Sequence, residues 1–137
     1  MGQIEGDWIG GYSGVVLARF RDLGHAAEPE ETPDALGEAG EAARGSCVQI
    51  LVWQSPEGAE GALPRVRFRA LGCPALLVAA DLACEQLQGR PPSALGAVEP
   101  AALHAALGLP VEKLGQVLLV EDAARRCLEV LRARRVN

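Results

Sequence analysis

The stretch that decides the fold is RVRFRALGCP, residues 65–74. Its first six residues alternate, with three arginines on one face and three apolar side chains on the other. This period of two predicts a half-buried antiparallel strand. Gly72 ends the strand, and Pro74 is tolerated in the first turn of a helix, where its missing N–H has no helical partner. The stretch therefore predicts a strand that turns into a helix at Cys73, with a basic sheet face that is solvated or bound by a partner.

Hydrophobic periodicity outside this stretch predicts one more strand and three more helices. The strand covers residues 47–54, and turn residues follow it at 55–58. The predicted helices cover residues 14–23, 74–89, 99–107 and 114–134. We predict an α+β fold, a two-layer domain with a small antiparallel sheet packed against helices. A chain of 137 residues fits a single domain, residues 1–137.

The segment 24–44 differs in composition from the rest of the chain. It contains six acidic residues, no basic residue before Arg44, and scattered proline and glycine. Too few large apolar groups are present to offset the entropy of ordering. We predict an acidic, flexible loop here, with a specific docking segment as the alternative.

Composition and charge exclude several classes of function. The formal charge of −5 argues against broad nucleic-acid binding, which needs a basic surface. No apolar run approaches the ~20 residues that span a bilayer, and residues 1–7 lack the basic start of a secretory signal. We expect a cytoplasmic protein with no membrane partner. The four cysteines form no Cys-x-x-Cys pair, which favours reduced thiols. No catalytic motif is evident, so we expect no enzyme activity.

Three short motifs carry a resemblance to a known family. They are LGC at 71–73, LPVEKL at 109–114 and EDA at 121–123. Together they resemble the NifU/IscU-type scaffolds of iron–sulfur cluster assembly, and the chain is identified as a divergent member. The resemblance implies a fold like that of NifU, IscU and SufE. It also implies that the partners are a cysteine desulfurase or other iron–sulfur assembly proteins.

The family holds its cluster, or a zinc ion, with three cysteines aided by an aspartate and a histidine. In the preferred register, the resemblance retains only one of these ligands. Cys73 matches the middle cysteine, and a thiol just before a helix N-terminus is favoured as thiolate. Arg44 stands at the first cysteine and Ser46 at the aspartate. A register shifted by three residues would instead make Cys47 the first ligand. In the preferred register Cys47 begins a strand and faces the core.

The third ligand position is degenerate as well. Gly115 stands where the family has its histidine, and Gln116 where it has its last cysteine. Glutamine is a poor ligand for a soft metal, and glycine has no ligand atom in a side chain. Cys84 and Cys127 lie far along their helices and are expected to be buried small hydrophobes.

The resemblance and the missing ligands together give three functional hypotheses. The first is a scaffold-like protein that is unable to hold a cluster by itself. An iron–sulfur cluster or zinc would then bind only if the site were completed in trans or by Cys47. The second is a SufE-like sulfur acceptor that takes a persulfide on Cys73 or Cys47. The third is a non-catalytic interaction or regulatory module, in which Arg44 lies beside Cys73 and fills the old metal pocket. If Arg44 instead lowers the pKa of Cys73, the second hypothesis applies.

Overall fold

The computed structural model describes residues 12–136, with the side chains of residues 59, 135 and 136 left aside. The N-terminal residues that we interpret as lacking a secretory signal lie outside this range. Four α-helices and three β-strands make up the described part of the chain. In chain order they are α1 (Gly14–Phe20), β1 (Ala35–Glu41), β2 (Ser46–Trp53), β3 (Arg65–Leu71), α2 (Pro74–Leu87), α3 (Pro100–Leu107) and α4 (Leu114–Val136). Four 3₁₀ turns connect them, at Ala42–Arg44, Gly58–Glu60, Pro92–Gly96 and Val111–Lys113.

The strands form an antiparallel sheet in the order β1–β2–β3. Alternate residues of β2, Val48, Ile50 and Val52, point into the hydrophobic core on one face. Helix α4 packs over β1 and β2, and α2 packs over β3 on the same core. The predicted α+β two-layer architecture is confirmed. Among the helices of residues 12–136, none has the length and apolar content needed to cross a membrane.

The prediction of a flexible loop over 24–44 is wrong for its second half. Residues 35–41 form β1, and residues 42–44 form a 3₁₀ turn. The small residues of β1 are the reason that the strand lacks a large apolar pattern, because α4 lies directly against it. A Cβ added to Gly37 would lie 2.8 Å from the Cα of Cys127 and even closer to the backbone oxygen of Ala123. Small side chains here allow the helix and the strand to approach closely.

The first half of the same segment is anchored rather than free. Ala26 forms a parallel bridge with Phe68 at the outer edge of β3. From there the chain crosses to β1 over the sheet face that the helices leave open. Arg69 holds the crossing segment by donating to the carbonyl oxygens of Glu28, Pro29 and Glu31, with a distance of 2.8 Å to the last.

The arginine row of β3 is therefore not a solvated face. Arg65 pairs with Glu31 and lies over the Trp53 ring, 5.1 Å from its centroid. Arg67 donates to the side chain of Gln88 at 2.7 Å. All three arginines are half-buried, and their partners belong to this same chain. The basic strand therefore holds the acidic segment through one ion pair, Arg65–Glu31, and through hydrogen bonds from Arg69 to its backbone.

Candidate functional site

Cys73 lies at the junction between β3 and α2, as the sequence predicts. It is the N-cap residue of α2, with an extended backbone (φ −76°, ψ 165°), and Pro74 begins the helix. Its side chain is half-buried. The peptide N–H groups of Leu76 and Ala75 at the start of the helix favour the ionised form of the sulfur and lower its pKa. The positive end of the helix dipole acts in the same direction.

Two side chains from distant parts of the chain meet the thiol. Lys113 places its Nζ 3.9 Å from the Sγ of Cys73. The same ammonium lies 5.8 Å from the centroid of the Tyr12 ring, and Tyr12 is only 5% exposed. The three residues form a cluster of thiol, amine and phenol, which we call the Cys73 site.

Local structure explains how Tyr12 and Lys113 are held. Tyr12 precedes Ser13, the N-cap of α1, whose hydroxyl accepts from the N–H of Val16 and donates to the Leu107 carbonyl at the end of α3. Lys113 ends the 3₁₀ turn that follows Pro110. The imidazole Nε2 of His104 lies 2.9 Å from the Pro110 carbonyl oxygen and ties this turn back to α3. The last turn of α3 therefore contributes to positioning both groups that face the thiol.

The electrostatics of the site favour a thiolate. Burial by itself opposes ionisation of Cys73. The N–H of Leu76, the Tyr12 hydroxyl and the charge of Lys113 outweigh it, so that the pKa of Cys73 lies below its ordinary value of 9.0. The hydrogen bond to Tyr12 and the charge of Cys73 raise the pKa of Lys113, which keeps the amine protonated. Burial and the neighbouring thiolate raise the pKa of Tyr12, which keeps the phenol as a hydrogen-bond donor.

The hypothesis that Arg44 supplies a cation to Cys73 is wrong. Arg44 is 83% exposed and pairs with Glu41, 2.9 Å away, because the 3₁₀ turn directs it outward. Its backbone does lie in the expected place, since the carbonyl of Gly45 is 3.6 Å from a Cβ built on Gly72. Lys113 is the cation at the thiol instead. The sequence contains Lys113 within the 109–114 motif, but only the fold shows which atom it faces.

The remaining positions carried over from the family supply no thiol. Ser46 begins β2 and pairs with Glu41 across the ladder. A Cβ on Gly115 would meet no atom within 4 Å, so this position opens to solvent. The side-chain oxygen of Gln116 is buried without a hydrogen-bond partner.

Cys47 belongs to the opposite face of the sheet, so the expectation that it faces the core is wrong. Its neighbour Val48 points into the core, and side chains alternate along a strand. The Cys47 thiol donates to the Glu38 carboxylate at 3.1 Å. This hydrogen bond, together with partial burial and the carboxylate charge, raises the pKa of Cys47. Cys84 and Cys127 are fully buried, as expected, and burial raises their pKa values, that of Cys127 to about 12.

The donor set at the Cys73 site does not match an iron–sulfur cluster or a zinc ion. These groups need several soft thiolate or imidazole ligands. The site brings one thiolate beside a protonated amine, which repels a metal cation. Within residues 12–136, no group of three or more His, Cys, Asp or Glu side chains lies close enough together to hold a metal.

A separate surface cavity of about 590 Å³ lies between α1 and α2. Its buried carboxylate, Asp81, accepts from Arg19 at 2.7 Å and from the backbone N–H of His25 at 2.8 Å. Arg19 also pairs with Glu85. The buried charge is fully paired, so it joins α1, α2 and the following loop rather than offering a free reactive group.

Two solved structures share this arrangement of elements. One is the N-terminal part of a nitrogen-fixing NifU-like protein from Brucella abortus, with a TM-score of 0.65 and 14% identity over 89% of this chain and 94% of that one. The other is described as a candidate iron–sulfur cluster assembly scaffold protein for the SUF system of Fervidobacterium islandicum. It gives a TM-score of 0.62 and 14% identity over 85% of this chain and 96% of that one. This chain has the NifU/IscU-type fold.

The similarity to these two structures is limited to the fold, because 14% identity does not show that the sites share the same chemistry. No protein-family model matches the sequence, and no curated protein matches it. What the site does must therefore be argued from Cys73 and its neighbours.

Proposed function

We propose that this protein acts in iron–sulfur cluster assembly as a scaffold-fold protein that accepts sulfur on Cys73 and does not hold a cluster by itself. One observation carries the proposal. A single thiol at a helix N-terminus has an ammonium 3.9 Å from its sulfur, and its pKa is lowered. A sulfur acceptor needs one reactive thiolate, whereas a scaffold needs several ligands.

The transfer step is a thiol–persulfide exchange. The Cys73 thiolate attacks the terminal sulfur of a donor persulfide, R–S–SH, so that a new S–S bond forms on Cys73. The S–S bond of the donor breaks, and the donor leaves as the thiolate R–S⁻. Atoms and electrons balance without an added oxidant. Lys113 stabilises the attacking thiolate before transfer and the persulfide anion after it, because its charge stays beside the sulfur.

Two exposed apolar side chains support delivery by a protein donor. Leu71, two residues before Cys73, is 55% exposed, and Val111, two residues before Lys113, is 78% exposed. Exposed apolar groups close in sequence to the thiol and to the amine suit contact with a protein surface. We propose a cysteine desulfurase or another iron–sulfur assembly protein as the partner, in the cytoplasm, and no enzyme activity of the chain itself.

Cys73 is favoured over Cys47 as the acceptor. The carboxylate of Glu38 stabilises the protonated form of the Cys47 thiol, whereas Lys113 stabilises the ionised form of Cys73. Only the thiolate is the nucleophile in an exchange of this kind.

The test is sulfur transfer followed by peptide mass spectrometry. The protein is incubated anaerobically with glutathione persulfide, or with a cysteine desulfurase and cysteine, and is then alkylated and digested. We expect one added sulfur atom on Cys73, retained in Cys47→Ser and lost in Cys73→Ser. Equal labelling of Cys47 and Cys73, or none at Cys73, would contradict the proposal.

A further inference from the structure

The Cys73 site also places a primary amine next to the only described thiol that is favoured as a thiolate. Lys113 Nζ lies 3.9 Å from the Cys73 sulfur and is held there by the ring of Tyr12. An oxidised cysteine is ordinarily rescued by a second thiol, which condenses with the sulfenic acid to give a disulfide.

No other described cysteine has its thiol hydrogen-bonded to or directed at Cys73. Cys47 donates to Glu38 on the opposite face of the sheet. Cys84 is fully buried and lies eleven residues along α2, which is about three turns or ~16 Å away. Cys127 is fully buried beneath β1. The nitrogen nucleophile that does face the sulfur, at 3.9 Å, is the amine of Lys113.

We infer that oxidation of Cys73 by a peroxide is captured by Lys113 as a reversible sulfur–nitrogen bridge, which closes the site and protects the thiol from further oxidation. Lysine has four methylene groups and a flexible stem, so that Nζ can close the remaining distance without movement of the backbone. The bridge would join the start of α2 to the turn before α4. It requires only the thiol, the amine and a peroxide, and so it does not depend on sulfur acceptance.

The chemistry balances in two steps. The Cys73 thiolate attacks hydrogen peroxide, the O–O bond breaks, and sulfenic acid and hydroxide form, so that sulfur is oxidised and peroxide oxygen is reduced. The sulfenic acid is neutral, so the thiolate charge that helps to raise the pKa of Lys113 is removed. The amine of Lys113 gives up a proton to solvent and then attacks the sulfenic sulfur. The S–N bond forms as the S–O bond breaks, and the leaving oxygen departs as water with a proton from the amine. The product has lost two hydrogen atoms relative to the reduced protein, and a thiol reductant reverses it.

The sequence provides a clear readout by tryptic digestion. Trypsin cleaves after Arg69 and after Lys113, and it does not cleave the bond between Arg90 and Pro91. Reduced protein therefore yields a peptide of residues 70–113. Bridged Lys113 blocks cleavage, so the product is a peptide of residues 70–125 that lacks two hydrogen atoms. A disulfide between Cys73 and Cys84 would also remove two hydrogens, but it would leave the 70–113 peptide cut after Lys113.

The experiment treats the full chain with hydrogen peroxide, blocks free thiols and maps the peptides. We expect the bridged 70–125 peptide in the wild type and its return to 70–113 with dithiothreitol. Lys113→Arg is the matched control, because it keeps the positive charge and the tryptic site but has no primary amine. In this variant we expect loss of the bridge and accumulation of Cys73 sulfinic acid, which is heavier by two oxygen atoms.

Three results would overturn the inference. The first is sulfinic acid at Cys73 formed at the same rate in wild type and Lys113→Arg. The second is a disulfide of Cys73 with another thiol, within or between chains. The third is a bridged peptide that persists in Cys73→Ser. Failure of sulfur transfer would leave this experiment unaffected, so the two proposals fail separately.

Discussion

Removing the charge of Lys113 should slow the chemistry of Cys73 by a predictable amount. Lys113→Met keeps an unbranched apolar stem one atom shorter than lysine and deletes the ammonium, so that the pKa of Cys73 rises. Lys113 is partly exposed, and the screened value for water is therefore appropriate. A unit charge 3.9 Å from the sulfur then stabilises the thiolate by about 1 kcal/mol. This energy corresponds to about a fivefold change in the thiolate fraction below the pKa.

The observed rate should change by less than the thiolate fraction. A thiolate of higher pKa is intrinsically more nucleophilic, and this returns about half of the change on a logarithmic scale. We therefore expect alkylation by iodoacetamide at pH 7 to slow about twofold in Lys113→Met. The midpoint of the pH–rate profile should move upward.

The assay is best done in a Cys47→Ser background, so that only Cys73 reacts among the described accessible thiols. The alkylation rate is measured from pH 6 to pH 10 for the parent, Lys113→Met and Lys113→Arg. Lys113→Arg keeps the charge and should follow the parent. Superimposable profiles for the parent and Lys113→Met would refute the assignment of Lys113 as the cation that activates the thiol.

Three further predictions concern the fold and its pH dependence. Gly37→Ala should destabilise the protein by about 1–3 kcal/mol in urea unfolding, because the added methyl overlaps the α4 backbone. Gly24→Ala is the control and should leave the stability unchanged, because its added methyl meets no atom within 4 Å. Arg69→Met should lower the free energy of unfolding by about 1–3 kcal/mol and speed proteolysis within residues 28–33. Arg44→Met should not, since Arg44 is 83% exposed. The pKa of Cys73 in the folded state lies below 9.0, so ionisation of this thiol stabilises the fold. This stabilisation is absent at low pH and grows as the pH rises toward 9.0. The stability of the wild type relative to Cys73→Ser should therefore increase between pH 6.5 and pH 8.5. A difference that stays constant over this range would contradict a lowered pKa for Cys73.

The strand-to-helix junction was predictable because its signals are local. Alternation in 65–70 and the Gly-Cys-Pro sequence place β3, the start of α2 and Cys73 in their observed positions. The strand β1 was not predictable in the same way. Its residues are small because α4 presses its backbone against Gly37, and this tertiary contact leaves no hydrophobic period in the sequence.

The site was only partly predictable for a related reason. The cysteine follows from a local motif, but its neighbours Tyr12 and Lys113 lie 61 and 40 residues away and meet it only in the fold. For Tyr12, the one local signal was Ser13. As the N-cap of α1 it fixes where the helix begins, and so places Tyr12 directly before the helix. The alignment places Arg44 at the first ligand position, near Cys73, and so suggested the wrong cation. An alignment gives the position of a backbone and not the direction of a side chain.

The central claim is that Cys73 takes up sulfur without building a cluster, and one anaerobic incubation tests it most directly. The protein is supplied with ferrous iron and a persulfide donor, desalted, and analysed for sulfane sulfur, iron and acid-labile sulfide per chain. Cys73→Ser is run alongside. We predict one sulfane sulfur per chain, lost in Cys73→Ser, with no stoichiometric iron or visible absorbance. Bound iron and acid-labile sulfide in the wild type that disappear in Cys73→Ser would contradict the account and assign the site to cluster assembly.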